Sequence, residues 1–193
     1  MRASLSYWQS VMLDVHILVS PDTPREWVAQ CLDSVHEAAD RAGYPVAVHI
    51  VDGVPGHIGK ARAAGYAMGS HPYVTFVDDD DYVLPDAFAC LMPALEAGSD
   101  AIYTRETTLQ NGYFRATDRR HHLAVYRRTL LDGHDFSRWP AYDAMALRTH
   151  VERKAREVID LPDAVYVYRL RGDSPARVIQ RQRPELLEMA RGR

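Results

Sequence analysis

The stretch Val74-Thr75-Phe76-Val77-Asp78-Asp79-Asp80-Asp81 decides how the rest of this chain is read. Four apolar or β-branched residues run straight into four carboxylates. The first half predicts a buried strand, and the second half the point where the chain leaves the sheet at its carboxyl end. Two carboxylates about 5 Å apart repel by roughly 3 kcal/mol at an effective dielectric near 20. Four at one strand tip are tolerable when solvent spreads them or a cation neutralises them. Because a buried strand feeds the run, a divalent-metal site built from hard oxygen ligands is preferred here to a solvated acidic turn.

The residues before this stretch alternate between strand and helix patterns. Val11 to Ser20 predicts a first strand with Val15, Ile17, Leu18 and Val19 buried, stopped by Pro21. Thr23-Pro24-Arg25-Glu26 has the form of a capping box with proline at the first helical position. The helix it opens runs to about Ala42, carries Val28, Leu32, Val35 and Ala39 on one face, and ends at Gly43. Pro45 to Val51 predicts a second buried strand tipped by Asp52-Gly53, and Ile58 to Met68 a second helix closed by Gly69. After the acidic run, Pro85 opens a third helix reaching about Ala97. This order predicts an open α/β sheet with helices on its faces. Ligands of such sheets collect beyond the strands' carboxyl ends, where Ser20, Asp52 and Asp78–Asp81 converge.

Past residue 100 the rhythm changes. Ala101 to Leu109 and Tyr113 to Thr117 read as a hairpin around Asn111-Gly112. His122 to Tyr126 predicts a short strand, Tyr142 to Glu157 a helix, Ala164 to Tyr168 a last strand, and the tail after Pro184 a short helix.

The 193 residues fit one domain, and a net charge of -3 gives no overall pull toward nucleic acid or acidic membrane. Arginine is nevertheless bunched, at Arg115, Arg119, Arg120, Arg127 and Arg128, and again from Arg169 through Arg171, Arg177, Arg181, Arg183, Arg191 and Arg193. Those clusters keep a polyanionic partner in view. Cys31 and Cys90 are too few for a disulfide framework and read as reduced thiols. No run of about 18 apolar residues is present, and Met1 to Ser10 lacks the apolar core of a secretory signal. The expectation is a soluble, cytoplasmic protein without a transmembrane segment.

Two motifs compete for the chemistry. Gly53, Gly56 and Gly59-Lys60 follow a strand and precede a helix, but their spacing is not that of a P-loop, and Ala61 stands where Ser or Thr would hold magnesium. A softer role survives, with Lys60 and Arg62 at a helix start holding a diphosphate. Asp79-Asp80-Asp81-Tyr82-Val83 fits the Asp-x-Asp-x-Val pattern of haloacid-dehalogenase-like phosphatases, with Asp79 as nucleophile. That pattern belongs on a first strand, and no downstream lysine and acidic pair completes it. A third alternative is a non-catalytic nucleotide-binding module. Of His121, His122, His134 and His150, none is singled out as a ligand.

Gly59-Lys60-Ala61-Arg62-Ala63-Ala64-Gly65 followed by Tyr73 to Pro85 resembles the core of the family 2 glycosyltransferases. Tyr126-Arg127-Arg128-Thr129-Leu130-Leu131, Trp139-Pro140-Ala141-Tyr142-Asp143 and Tyr166-Val167-Tyr168-Arg169, with Ser174 beyond, extend the resemblance more faintly over about residues 14–180. Tyr142 stands where that family usually has Glu. The resemblance implies a single GT-A-like domain, a Rossmann-like open mixed sheet with helices on both faces. Residues from about 11 to 100 would form the nucleotide-sugar half, those from about 101 to 180 the acceptor half, and 181–193 a tail. It implies a nucleotide-sugar donor, most often a UDP-sugar, bound with Mn2+ or Mg2+. Asp52 would meet the uracil or ribose and Asp78 the ribose side. Asp80 would bind the metal with Asp81 in support, and Asp143 would be the general base. Ser20, Lys60, Arg62, Asp79 and Arg169 complete the donor set. A saccharide acceptor comes first, and a hydroxymethylated DNA base stays open.

Overall fold

The computed structural model describes residues 12–117, 122–171 and 185–192. Its elements are β1 (Leu13–Val19), α1 (Arg25–Arg41), β2 (Val46–Asp52), α2 (Ile58–Tyr66), β3 (Tyr73–Asp78), β4 (Tyr82–Val83), α3 (Met92–Ala97), β5 (Ala101–Gln110), β6 (Tyr113–Thr117), β7 (Val125–Arg127), α4 (Asp143–Glu152), β8 (Val158–Arg169) and α5 (Glu185–Ala190). The strands form one sheet in the order β2-β1-β3-β7-β5-β8-β4, with β6 added to β5. β2, β1 and β3 run parallel, joined by α1 and α2, whereas β7 is antiparallel to both β3 and β5. The result is the open mixed sheet expected, Rossmann-like in its first half.

Both faces of the sheet are covered. Leu13, Val15 and Ile17 of β1 pack with Cys31, Val35 and Ala38 of α1 and with Leu91 and Leu95 around α3. Val74 and Phe76 of β3 face the other way, toward Tyr66 of α2 and Leu147 and Val151 of α4. A parallel strand between two layers must be apolar on both sides, so β3 is buried from Tyr73 to Val77. β2 departs from expectation. It is the sheet's edge, and of its seven residues only Val51 is buried.

The predicted helix from Pro85 to Ala97 is replaced by a 3-10 turn (Ala89–Leu91) and the six residues of α3. Pro93 is the cause: it has no N–H to donate, and its ring would meet the carbonyl four residues earlier. The helix opening at residue 142 stops at Glu152 rather than Glu157, and β8 begins at Val158 rather than Ala164. Pro162 hides the early part of β8 from a sequence reading. It is accommodated at a register shift, where the pairing of Tyr103 with Asp160 gives way to that of Arg105 with Ala164. The strand expected from His122 is confined to Val125–Arg127. The Asn111-Gly112 hairpin forms as read, with φ of 51° and 79° at the two turn residues.

One buried carboxylate ties the sheet together at the end opposite the acidic run. Asp14 on β1 is 1% exposed. It accepts from His49 Nε2 on β2 at 2.8 Å, from the His71 backbone N–H at 2.9 Å, and from Arg128, which follows β7. Arg128 also donates to the His71 carbonyl at 2.8 Å.

Candidate active site

The acidic run turns away from the sheet immediately after β3, and each of its carboxylates meets a different part of the chain. Asp78 accepts from Arg62 Nη2 at 3.1 Å and lies 3.6 Å from His122 Nε2. Asp79 accepts from the Ser20 backbone N–H at 2.7 Å and from the Thr23 side chain. This is why the capping box fails: α1 starts at Arg25 without a side-chain cap, because Thr23 is turned toward Asp79 instead. Asp80 pairs with Arg171 Nη1 at 3.2 Å, and its backbone carbonyl takes Arg169 Nη1 at 2.5 Å. Asp81, fully buried, accepts from Tyr166 Oη and the Arg169 backbone N–H, both at 2.7 Å.

This crowding shows in the acidities. Burial, opposed by the bonds from Ser20 and Thr23, pushes the Asp79 carboxyl up to about 6. Burial and then the Asp78 charge raise Asp80, and burial holds Asp81 well above the usual carboxylate range. Burial of like charges side by side disfavours ionisation here.

Arg62 lies elsewhere than the diphosphate reading places it. It is 1% exposed, with Nε on Asp143 Oδ2 at 2.9 Å, Nη2 on Asp78, and its guanidinium stacked 3.6 Å from the centre of the Phe76 ring. Burial disfavours its charge, but Asp143 and Asp78 outweigh that and hold it protonated. Its position follows from Gly59, one turn earlier. There α2 comes so close to the loop before α4 that a Cβ would sit 2.3 Å from the Phe136 carbonyl oxygen and 2.5 Å from that of Trp139. The Gly59 N–H donates to the Trp139 carbonyl at 2.9 Å, so this amide of the helix start is already taken. The diphosphate role read for Arg62 is therefore corrected to a brace between α2 and α4. Lys60 remains exposed on the first turn of α2, and Asp52 is exposed at the tip of β2, level with Val19.

Asp143 is the first residue of α4 and 3% exposed. Tyr142 before it has a φ of 60°, a left-handed conformation uncommon for a side chain of that size. That kink turns the helix start toward Arg62.

His122 is a part of the site that sequence reasoning does not single out. Its Nδ1 meets Glu106 Oε2 at 2.7 Å, and its ring is stacked between Tyr166 and Tyr168 at 4.9 and 4.8 Å. Burial acts to lower its pKa, but Glu106, Asp78 and Asp81 raise it to about 9. The i, i+2 spacing of Tyr166 and Tyr168 signals that both face one side of a strand. Nothing in the sequence pairs them with a residue more than 40 positions earlier. Ligand atoms of Asp78, Asp81 and His122 lie within 4.8 Å of one another, a grouping able to hold a cation. Arg169 and Arg171 are spread over Trp27 of α1, 5.2 and 5.3 Å from its ring, with Arg169 also 5.1 Å from Tyr82. Of the other named residues, His134 and His150 lie together, their rings 5.0 Å apart. His121, Ser174, Arg119, Arg120, Arg177, Arg181, Arg183 and Arg193 fall outside the described residues.

The sequence profile of Glycosyl transferase family 2 matches residues 33–170, more than two thirds of the chain. The chain belongs to glycosyl transferase family 2. The fold of this family 2 chain is similar to that of S. aureus TarS. Against TarS 1-349 the TM-score is 0.62 at 16% identity, covering 82% of this chain and 60% of that one. Against a longer TarS chain it is 0.66 at 15% identity, covering 93% of this chain and 40% of that one. TarS 1-349 in complex with UDP-GlcNAc gives 0.60 at 13% identity, over 86% and 60%. This family 2 chain therefore spans 60% or less of those TarS chains. A search of curated proteins finds no match. Membership sets the phosphatase pattern aside, and Asp79, which that pattern needs as a free nucleophile, is 6% exposed and bonded to Ser20. Among the described residues no helix is long and apolar enough to cross a membrane.

Proposed function

We propose that this chain takes a sugar from a nucleotide-diphosphate sugar, a UDP-sugar in the first instance, and passes it to an acceptor hydroxyl with inversion. The observation that carries the reading is the meeting of three groups at one sheet corner of a family 2 fold: the Asp78–Asp81 run, the Arg62–Asp143 pair, and Arg169 with Arg171. TarS 1-349 has been solved with UDP and with UDP-GlcNAc, which supports the choice of donor.

In this reaction the acceptor oxygen forms a bond to the anomeric carbon. The bond from that carbon to the diphosphate oxygen breaks, and its electron pair leaves with the diphosphate. The acceptor's proton goes to Asp143, at Oδ1, because Oδ2 is held by Arg62. Arg62 fixes the carboxylate's direction. The low exposure of Asp143 keeps bulk water from competing for it. Arg169 and Arg171 lie beside Asp80, where they can offer charge to the departing diphosphate. Ser20, Asp52 and Lys60 border the same ends of β1, β2 and α2 and are assigned to the nucleotide.

The residues fit a divalent cation. The grouping of Asp78, Asp81 and His122 supplies oxygen donors and, once the imidazole gives up its proton, a nitrogen, and burial leaves Asp79, Asp80 and Asp81 reluctant to ionise without a cation. Asp80 and Asp78, with Asp81 and His122 beside them, would hold Mn2+ or Mg2+. When bound, such an ion neutralises a leaving diphosphate.

Thermal unfolding with UDP, with and without Mn2+, tests the reading. A ligand at 100 times its Kd stabilises the fold by about 2.7 kcal/mol. UDP should raise the Tm of the wild type when Mn2+ is present, and Asp80→Asn should lose that dependence. Asp143→Asn should keep the shift and lose sugar release from UDP-GlcNAc. A wild type that ignores UDP under all these conditions would sink the proposal.

A further inference from the structure

A cavity lies beside the β5–β6 hairpin. Its volume is about 710 Å3, and its lining includes Thr108, Gln110, Asn111, Tyr113, Arg115 and Leu170. Strand register relates it to the catalytic corner. Thr108 is opposite Tyr168 on one side and Arg115 on the other, and Glu106 is opposite Tyr166 and Thr117 in the same way. Directly opposed residues point to the same face of a sheet, as do residues two apart along one strand. The cavity therefore opens on the face that carries Glu106 and Tyr168, which hold His122 between them. Arg115 lies two strand spacings, about 10 Å, from Tyr168.

The lining has a definite chemistry. Arg115 is its one charged residue among those described. No ion pair to Arg115 is seen among the described residues. Thr108, Gln110 and Asn111 add hydroxyl and amide groups. Tyr113 shares the Arg115 face and is 79% exposed, so its ring contributes little to folding. An exposed guanidinium fork, neutral hydrogen-bonding groups and an open aromatic face together suit an anionic sugar.

We infer that this cavity seats the acceptor, and that the acceptor is a saccharide carrying a phosphate or carboxylate group. Arg115 grips the anion, Thr108, Gln110 and Asn111 read the hydroxyls, and Tyr113 stacks on the sugar's apolar face. The role as acceptor rests on the donor reading above; the binding preference does not.

Saturation-transfer NMR on the full chain, without nucleotide or metal, tests the preference with glucose, glucose 6-phosphate and glucuronate. At least one anionic sugar should bind about tenfold more tightly than glucose, and the tighter of the two identifies the anion. Arg115→Gln should remove the difference and Arg115→Lys should keep part of it. Phe114→Ala, on the opposite face of β6, should leave it intact. Equal binding of glucose, a preference that survives Arg115→Gln, or displacement of the sugars by a short single-stranded oligonucleotide would each overturn the inference. Because UDP is absent, a failed donor reading and a failed acceptor preference show up in separate experiments.

Discussion

At the scale of single residues, Arg62 has the largest consequences. It is the cation that two buried or half-buried carboxylates, Asp143 and Asp78, share. Removing one partner of a buried ion pair leaves uncompensated charge and costs about 3–5 kcal/mol. Arg62→Ala should therefore destabilise the fold by about that much in urea titration, as well as ending transfer. Arg62→Lys, which cannot span both carboxylates, should fall between. His16 allows a prediction in pH. It is fully buried, its Nδ1 meets the Thr75 carbonyl at 2.9 Å, and burial lowers its pKa from 6.5 to about 4. The unfolded chain thus binds its proton first. Stability from this group is complete above about pH 6.5 and drains away as pH falls toward 4, by about 3 kcal/mol in all. Asp79 works the other way. Its carboxyl is raised from 3.8 to about 6, so its contribution is lost as pH rises through that range. The difference between wild type and His16→Asn, in unfolding measured from pH 4 to 7, isolates the histidine. A slope unchanged by the substitution would contradict the buried, neutral ring.

At the scale of elements, two glycines differ in what constrains them. Gly112 has a φ of 79°, but a methyl added there would meet no atom within 4 Å. Gly112→Ala should cost only the backbone strain, about 1 kcal/mol. Gly59 has no such φ, yet its Cβ would strike two backbone oxygens. Gly59→Ala must push α2 from the loop before α4, should cost about 2–3 kcal/mol, and should displace Arg62 from Asp143. Equal losses of stability in the two variants would show that the brace is not rigid. The same elements show what the sequence could reveal. β1, α1, α2, β3 and the hairpin are legible because their periodicity and turn residues act over a few positions. The short α3 is misread because Pro85 promises a helix that Pro93 divides. The full length of β8 is hidden because Pro162 normally speaks against a strand. Asp78 to Asp81 stand out as a run, whereas the Thr23–Asp79 bond and the Glu106–His122–Tyr168 stack depend on pairings across the sheet that no local pattern encodes.

At the scale of the whole molecule, the sheet's two ends have opposite electrostatic characters. The corner at the tip of β3 gathers Asp78, Asp79, Asp80 and Asp81 against Arg62, Arg169 and Arg171, and the carboxyls of Asp79, Asp80 and Asp81 resist ionisation. Adding Mn2+ to metal-free protein should stabilise the fold even without nucleotide, and chelation should reverse the gain. Calorimetry would follow both, and an unchanged Tm at millimolar Mn2+ would argue against a cation at this corner. At the far end, Asp14 is satisfied by His49, His71 and Arg128, and burial's pull toward the neutral acid is overcome by these partners, so its pKa falls. Arg128 lies 114 positions after Asp14. During synthesis the carboxylate can meet His49 and His71 first, but its arginine arrives only once the chain beyond β7 has emerged. The residues before the hairpin therefore hold a buried carboxylate whose arginine comes from beyond it, and severing the backbone at the hairpin should leave a first piece less stable alone than with the second.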